Sequence, residues 1–346
     1  MTPPKDNTRD ERGVAIMYVA MFLLSSIWLV SLAIDMGKLT VTKNELQRAA
    51  DAAALAGASC VNPENGDLVQ DSARVRAVYF ASQNTALQTT SEAVVIDPQA
   101  DISFPNVHKV RVTVHREEAT GNAMTTIFAR SLGITSLNLR AVATAEAVPV
   151  EPCDKTSPLA PVQIEGGYST ACGTSYELRV GDTGNFQLLN YGTDCNEGPC
   201  AGLSGIGPLT ECWIVNGFGC CLKIGDTFVD TEPGNKVGII KRALKERWNL
   251  DTDQQTGICY QEYLKRNQGN NARVVISPIV DTWNVNGTKS AKIVGFAAFF
   301  MLDVPGQGGP DSVAHGQFIN YVVPGDANSD PPPGPKLFTL RLVQND

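Results

Sequence analysis

The chain has 346 residues, of which 43% are hydrophobic, so it is long enough to form two modest domains, each with its own core. Its 36 acidic residues outnumber its 28 lysines and arginines and give a formal net charge of −8. This acidic balance argues against nucleic acid or anionic lipid headgroups as principal partners.

An uncharged stretch near the N-terminus predicts a transmembrane helix. Residues 1–12 are mostly polar, contain Pro3-Pro4 and are predicted to form a cytoplasmic tail. No charged residue lies between Val14 and Ile34, and at about 1.5 Å per residue this stretch spans about 31 Å, close to the hydrocarbon thickness of a bilayer. A cleaved signal peptide is the alternative, but its apolar core usually has about 7–15 residues. We therefore predict a membrane span from Val14 to Ile34.

The helix is predicted to continue beyond the span. No helix breaker follows Asp35, and the next residues are rich in Ala, Leu, Gln, Glu and Lys, which are strong helix formers. The prediction is one membrane-anchored helix over residues 13–58. Its last part, Leu46 to Ala58, is too apolar to stand alone in water. We expect this part to pack on a partner subunit rather than on the protein's own sheet.

Residues 59–150 predict a small, pilin-like α/β unit with a half-buried antiparallel sheet. Its predicted elements are helices over 68–87 and 123–133 and strands over 92–97, 107–116 and 137–148. In the strand over 107–116, Val110, Val112 and Val114 share one face. His108 and His115 lie on the polar face and are expected to be solvated.

Composition shifts towards Gly, Pro and Cys after residue 150, which predicts a second, mostly β domain over 151–346. Its predicted strands cover 160–165, 176–180, 186–191, 222–229, 272–280, 292–302, 317–323 and 336–343. An apolar stripe predicts one helix over 236–248. The predicted fold class of the whole chain is therefore α+β.

All cysteines except Cys60 fall in this second domain. They are Cys153, Cys172, Cys195, Cys200, Cys212, Cys220, Cys221 and Cys259. The clustering, the absence of a Cys-x-x-Cys pair and the presence of only 3 histidines favour disulfides over zinc. Disulfides indicate an oxidising compartment, so we predict a cytoplasmic N-terminus and an extracytoplasmic second domain. Cys60 is expected to be the unpaired cysteine.

No catalytic or cofactor-binding pattern is found, which predicts a protein that is not an enzyme and needs no cofactor. The sequence has no P-loop, dinucleotide fingerprint, nucleophile elbow or metalloprotease motif. One weak calcium pattern places Asp251, Asp253 and Glu262 at the spacing of loop ligands. Because Thr256 replaces the glycine that such a loop needs, a polar turn is the default interpretation.

The most specific motif of the chain is QRAADAAALAGA at residues 47–58. Together with the apolar stretch before it, this motif resembles the TadE/TadG-like proteins of the tight-adherence (Flp) pilus system. Weaker resemblance extends to IFARSLGI (127–134), RAVATAEA (140–147), GNFQLLNYG (184–192) and VGFAAFFML (294–302). The resemblance implies a single-pass protein of the bacterial inner membrane, similar to minor pseudopilins. It implies a role in pilus biogenesis or surface adhesion, with the membrane and other Tad/Flp assembly proteins or pilin-like subunits as partners.

Two family features are missing from the sequence. Tyr18 stands where pilin-like TadE proteins carry a glutamate after the processed glycine, and the Asp-x-Ser-x-Ser metal motif of larger TadG proteins does not occur. The alternative function is a membrane-tethered extracytoplasmic binding module whose recognition site lies in 151–346.

Overall fold

Helices and strands are mixed along the whole chain in the computed structural model, which describes residues 8–87, 91–179, 186–192, 197–230, 237–281, 290–305, 312–327 and 334–343. Within these ranges the α-helices are α1 (Thr8–Ala58), α2 (Gln70–Ser82), α3 (Ile206–Asn216), α4 (Val237–Leu250) and α5 (Tyr260–Arg266). The first strands are β1 (Thr85–Leu87), β2 (Ser91–Ala93), β3 (Ile102–Asn106), β4 (Lys109–Arg116), β5 (Met124–Thr125), β6 (Ser136–Leu137) and β7 (Leu139–Pro152). The later strands are β8 (Leu159–Pro161), β9 (Tyr176–Arg179), β10 (Phe186–Asn190), β11 (Thr227–Asp230), β12 (Val274–Val280), β13 (Ser290–Met301), β14 (Ser312–Ile319), β15 (Tyr321–Val322), β16 (Gly325–Ala327) and β17 (Leu337–Val343). The α+β prediction is confirmed.

The long helix α1 passes from solvent-exposed to buried surroundings along its length. It has 51 residues, which corresponds to about 77 Å at 1.5 Å per residue. Nearly all of its side chains between Gly13 and Val30 are exposed, and burial begins at Ser31 and Asp35. From Leu46 onwards one face is fully buried in a hydrophobic core. One part of α1 therefore lies outside the folded domain and the other part lies inside it.

The Ala-rich part of α1 packs on β4, β7 and α2. Its fully buried side chains are Leu46, Ala49, Ala50, Ala53, Ala54 and Ala58, which meet Ala73, Ala77 and Ala81 of α2 and Val110, Val112 and Val114 of β4 in the same core. Small side chains allow this close approach, and a Cβ added at Gly57 would lie 3.1 Å from Cγ1 of Val110. The expectation that Leu46 to Ala58 packs on a partner subunit is therefore wrong, because the protein's own sheet and α2 already cover it.

The sheet under α1 has six strands in the order β15-β17-β7-β4-β3, with β16 also paired to β7. Its centre is the antiparallel pair of β4 and β7, which joins Lys109 to Glu146 at one end and Arg116 to Leu139 at the other. The predicted alternation in β4 is confirmed, because all three of its valines are buried.

A seven-stranded sheet forms in the second half of the chain. Its order is β8-β10-β11-β13-β14-β9, and β12 pairs with most of β13. Helix α4 corresponds to the predicted helix over 236–248, and its Ile240, Leu244 and Trp248 pack into a core with Phe299 and Phe318. Helix α3 was not predicted, because Pro208 and the glycines around it resemble a loop. Pro208 lies in the first turn of α3, where proline is tolerated.

The six-stranded sheet contains strands from both sides of the predicted domain boundary. Strand β7 runs across position 150, and β17, near the C-terminus, pairs antiparallel with it from Phe338–Pro149 to Val343–Thr144. The sheet that holds α1 thus contains strands from both ends of the chain. The division into 59–150 and 151–346 stays a prediction.

A short hairpin-like segment replaces the helix predicted over 123–133, so that prediction is wrong. Strand β5 pairs with β6, and a 3-10 turn at Ala129–Leu132 lies between them. The apolar residues have helical spacing, but the N–H groups at 127–129 donate to a carboxylate on α1 and not to helical carbonyls. We call Met124–Leu137 the junction turn.

The two histidines of the first sheet are less exposed than predicted. Nδ1 of His115 lies 3.4 Å from Oδ1 of Asp101, and the His115 side chain is 17% exposed. The ring of His108 lies 6.0 Å from that of Phe338, measured between centroids. The solvated interpretation is wrong, because Asp101 partly covers His115 and Phe338 partly covers His108.

Disulfides cross-link the second half of the chain, which bears out the disulfide expectation. They join Cys153 to Cys221, Cys172 to Cys259 and Cys200 to Cys212. Cys220 is also disulfide-bonded, Cys195 lies outside the described residues, and Cys60 is free. Each cross-link contributes about 2–4 kcal/mol by restricting the unfolded chain.

Enlarging a side chain inside the Ala-rich contact should destabilise the fold. Ala53→Leu inserts extra carbon atoms into a fully buried position, which should lower the free energy of unfolding by about 1–3 kcal/mol. Chemical denaturation of the full chain in detergent, followed by circular dichroism, measures this change. Asn44→Leu, at an exposed position of the same helix, is the control and should stay within about 0.5 kcal/mol of wild type. Equal stability of the two variants would contradict the packing role.

Candidate functional site: an exposed apolar helix and its junction with the folded domain

The exposed part of α1 is suited to a membrane. Among the described residues, one helix is long and apolar enough to cross a bilayer, with a mean hydropathy of 2.2 over its most apolar window and none of that window buried. Its exposed large side chains include Ile16, Phe22, Leu24, Ile27, Leu29 and Val30. In water these side chains would form a contiguous apolar surface far larger than soluble monomers carry. The predicted span from Val14 to Ile34 thus coincides with the part of α1 that the protein itself leaves uncovered.

Hydroxyl groups inside this stretch are satisfied by the helix backbone. Ser25 and Ser26 donate to the carbonyl of Phe22 at 2.9 and 2.8 Å, and Ser31 donates to that of Ile27 at 2.6 Å. Such bonds remove the penalty of an unpaired polar group in hydrocarbon. The three serines are therefore compatible with a span.

The junction turn is fastened to α1 where the apolar stretch ends. The carboxylate of Asp35 accepts hydrogen bonds from the N–H groups of Ile127 at 2.9 Å, Phe128 at 3.0 Å and Ala129 at 2.6 Å. One helical turn further on, Nζ of Lys38 donates to the carbonyl of Thr125 at 2.6 Å. The Asp35 carboxylate thus binds N–H groups of the junction turn, and the Lys38 ammonium binds a carbonyl of the same turn.

The surroundings of Asp35 favour its charged form. The N–H of Ile127 is the main cause that lowers the pKa of the Asp35 carboxyl, the N–H groups of Ala129 and Phe128 and the charge of Lys38 add to it, and burial opposes them. Because the pKa is lower in the folded state, the contact stabilises the fold fully above the unfolded-state pKa. This stabilisation is lost only as the pH falls through the lowered value. The junction is therefore intact at neutral pH.

The three calcium candidates are engaged by protein donors. Asp251 accepts from the Tyr263 hydroxyl at 2.8 Å and Asp253 pairs with Arg266 at 2.7 Å. Glu262 accepts from the N–H of Cys259 at 3.2 Å and so caps the first turn of α5. The arrangement is that of a structural polar turn. In the part of the chain that the structure describes, one group has metal-like proximity, Cys153, Cys221 and Asp326, and its two cysteines form a disulfide.

Asp251 also serves as the counter-charge of a buried arginine. Nε of Arg273 lies 3.9 Å from Oδ2 of Asp251, and both side chains are fully buried. The guanidinium lies over the rings of Trp248, Tyr263 and Phe300, with its central carbon 4.4 to 4.9 Å from the three centroids. The carboxylate and the aromatic faces offset part of the cost of burying this charge.

The comparison with protein families finds a match for the N-terminal helix α1. Residues 13–59 match the model described as putative Flp pilus-assembly TadE/G-like. The N-terminal segment is therefore TadE/G-like. The matched range begins one residue before the apolar stretch and ends one residue after α1, and it does not include the junction turn. No curated protein and no solved structure matches the chain.

The sequence located the TadE/G-like segment but not the role of Asp35. The carboxylate of Asp35, the first residue after the predicted span, holds a turn about ninety positions away in sequence. A signal was present in the spacing of Ser31, Asp35, Lys38 and Thr42, which places four polar residues on one face of a helix. The partner of that face is not visible from the sequence, because the junction turn has the spacing of a helix.

Removing the Asp35 carboxylate should release the junction turn. In Asp35→Ala the N–H groups of residues 127–129 lose their acceptor, so their amide hydrogens should exchange with solvent faster than in wild type. Hydrogen–deuterium exchange of the full chain in detergent, read by mass spectrometry, measures this rate. Met36→Ala is the matched control, because its side chain is 55% exposed. Wild-type exchange in Asp35→Ala would show that the carboxylate does not hold the turn.

Neutralising Asp251 should destabilise the second half of the chain. Asp251→Asn leaves the Arg273 charge buried without its partner, which typically costs about 3–5 kcal/mol. Chemical denaturation of the full chain measures the loss, with Glu246→Gln at an exposed position of α4 as the control. A loss no greater than that of the control would rule out a role for this pair in stability.

Proposed function

We propose that the protein is a non-enzymatic, single-pass envelope component of a Tad-type (Flp) pilus-assembly apparatus, which supports pilus biogenesis or surface adhesion. The observation that carries the proposal is the coincidence of the TadE/G-like match with α1, one part of which is exposed and apolar and the other part built into the core. A helix of this kind anchors a domain to a membrane without a flexible linker.

The proposed location is the bacterial inner membrane, with residues 1–12 in the cytoplasm and the folded domain on the periplasmic or extracellular side. The disulfides support this orientation, because disulfides form and persist in oxidising compartments. The basic residues that flank the span do not favour either direction, since their numbers on the two sides are similar.

The proposed partners are the membrane and other pilus-assembly or pilin-like proteins. Because the Ala-rich part of α1 is buried in its own domain, it is not available to another subunit. Any partner helix would therefore pack on the exposed stretch from Val14 to Ile34, within the bilayer. Helix association in lipid depends on side-chain packing, and this stretch offers uncovered apolar side chains on all its faces.

Membrane integration is expected to fail when a charge is placed in the middle of the span. A carboxylate at that depth costs about 2.5–3.5 kcal/mol on insertion scales, so Leu24→Asp should shift the protein out of the alkali-resistant membrane fraction. Leu264→Asp is the matched control, because Leu264 is an exposed leucine of α5 outside the span. Equal fractionation of the two variants would argue against the span.

The role in pilus assembly is tested in the bacterium that encodes the protein. A deletion strain should lose surface pili and surface attachment, measured by electron microscopy and by counts of adherent cells. The wild-type gene and the Leu264→Asp variant should restore both, whereas Leu24→Asp should restore neither. A deletion strain with normal pili and normal attachment would overturn the proposal.

A further inference from the structure

The junction turn exposes a cluster of apolar side chains beside the end of the span. The exposed fractions are 55% for Ile127, 39% for Phe128, 63% for Leu132 and 45% for Ile134. Four large apolar residues within eight positions form a patch, which differs from the single exposed hydrophobic residues that most surfaces carry.

The hydrogen bonds to α1 fix where this patch lies. Asp35, the first residue after the predicted span, binds the N–H groups at 127–129, so the apolar side chains of this segment start at the level where the helix leaves the hydrocarbon. The 3-10 turn also contacts α1. Ser31, which lies one helical turn inside the span, is 8% exposed although its neighbours Val30 and Leu32 are well exposed. Part of the folded domain thus reaches into the last turn of the span.

Backbone N–H groups of the junction turn also form hydrogen bonds within the protein, which suits the segment to apolar surroundings. The N–H groups of Thr126, Ser131, Gly133 and Ile134 donate to the backbone carbonyls of Thr135, Phe128, Arg130 and Ala129, respectively. The N–H groups at 127–129 are taken by Asp35. Such internal hydrogen bonds lower the cost of placing the segment against hydrocarbon, because an unpaired backbone group costs several kcal/mol in the bilayer core.

From these observations we propose that the junction turn is a second membrane contact, in which Ile127, Phe128, Leu132 and Ile134 insert into the interfacial region of the same bilayer that α1 crosses. The inference rests on the proposed span and goes beyond it. The occupant of the patch is the lipid acyl–headgroup boundary, because the hydrogen bonds to Asp35 hold the patch beside the end of the apolar stretch of α1. The exposed Arg130 lies within the same turn, and an arginine at this level of a bilayer places its charge among the headgroups.

This contact would limit the tilt of the folded domain relative to the membrane. A single span can tilt in the bilayer and its domain tilts with it, whereas a second contact beside the helix restricts that motion. The end of the first sheet at Arg116 and Leu139 would then stay next to the bilayer, and the turn between β3 and β4 would stay away from it.

The experiment places one fluorescent label at each of three positions. Single cysteines are introduced in a Cys60→Ala background as Leu132→Cys in the junction turn, Val107→Cys at the opposite end of the sheet and Leu24→Cys in the middle of the span. Val107 is a matched control, because it is an apolar residue with 53% exposure and β4, eight residues or about 26 Å long, separates it from the junction turn. The cysteines are labelled with an environment-sensitive dye, and the full chain is reconstituted into vesicles of phosphatidylethanolamine and phosphatidylglycerol that contain nitroxide-labelled lipids.

The expected result is a blue-shifted emission of the label at 132, quenched most by nitroxides near the glycerol backbone. The label at 24 should be quenched most by nitroxides deep in the acyl chains, and the label at 107 should not be quenched. Ile127→Cys repeats the measurement at a second position of the turn. If the labels at 132 and 127 behave as that at 107 while the label at 24 is quenched, the interfacial contact is overturned and the span stands. If the label at 24 is not quenched either, the proposed span fails together with the contact.

Discussion

The close contact between the Ala-rich part of α1 and the β4–β7 pair is the constraint on which the rest of the structure depends. Alanine and glycine let the helix backbone approach the sheet, and the valines of β4 fill the remaining space. The same helix continues without a break into its exposed apolar part, so the domain core and the TadE/G-like apolar segment belong to one continuous helix. The direction in which the apolar segment leaves the folded domain is therefore set inside the core.

Much of the fold follows from local sequence patterns. The apolar stretch and the helix formers after it predict α1 correctly. The alternation of Val110, Val112 and Val114 predicts β4 correctly, because alternate residues of a strand lie on the same face. The pairing of β17 with β7 could not be predicted, because it joins segments almost two hundred positions apart and each strand alone fits several neighbours. For the same reason, the sequence shows that Leu46 to Ala58 must be covered but not that the covering surface belongs to the same chain.

Of the candidate site, the sequence predicts the apolar stretch, because its length and composition identify it, but not the junction turn. Span length and hydropathy are properties of a contiguous segment, and the family match over 13–59 agrees with them. The junction turn forms because the N–H groups at residues 127–129 donate to Asp35 and not to helical carbonyls. Helix propensities describe each segment alone, so they do not reveal this long-range contact. The calcium pattern was ambiguous in a similar way, because carboxylates at ligand spacing can equally bind Arg266, Tyr263 or a helix N-terminus.

The order in which the strands are made has a consequence for biosynthesis. Helix α1 and β7 emerge early, but β17, which closes one side of β7, lies at 337–343 and is translated after the rest of both sheets. The edge of β7 therefore remains unpaired while the intervening residues are synthesised. An open strand edge can pair with other chains, so folding in this interval depends on protection from aggregation. Helix α1 is made first, and the sheet on which its Ala-rich part packs is completed last.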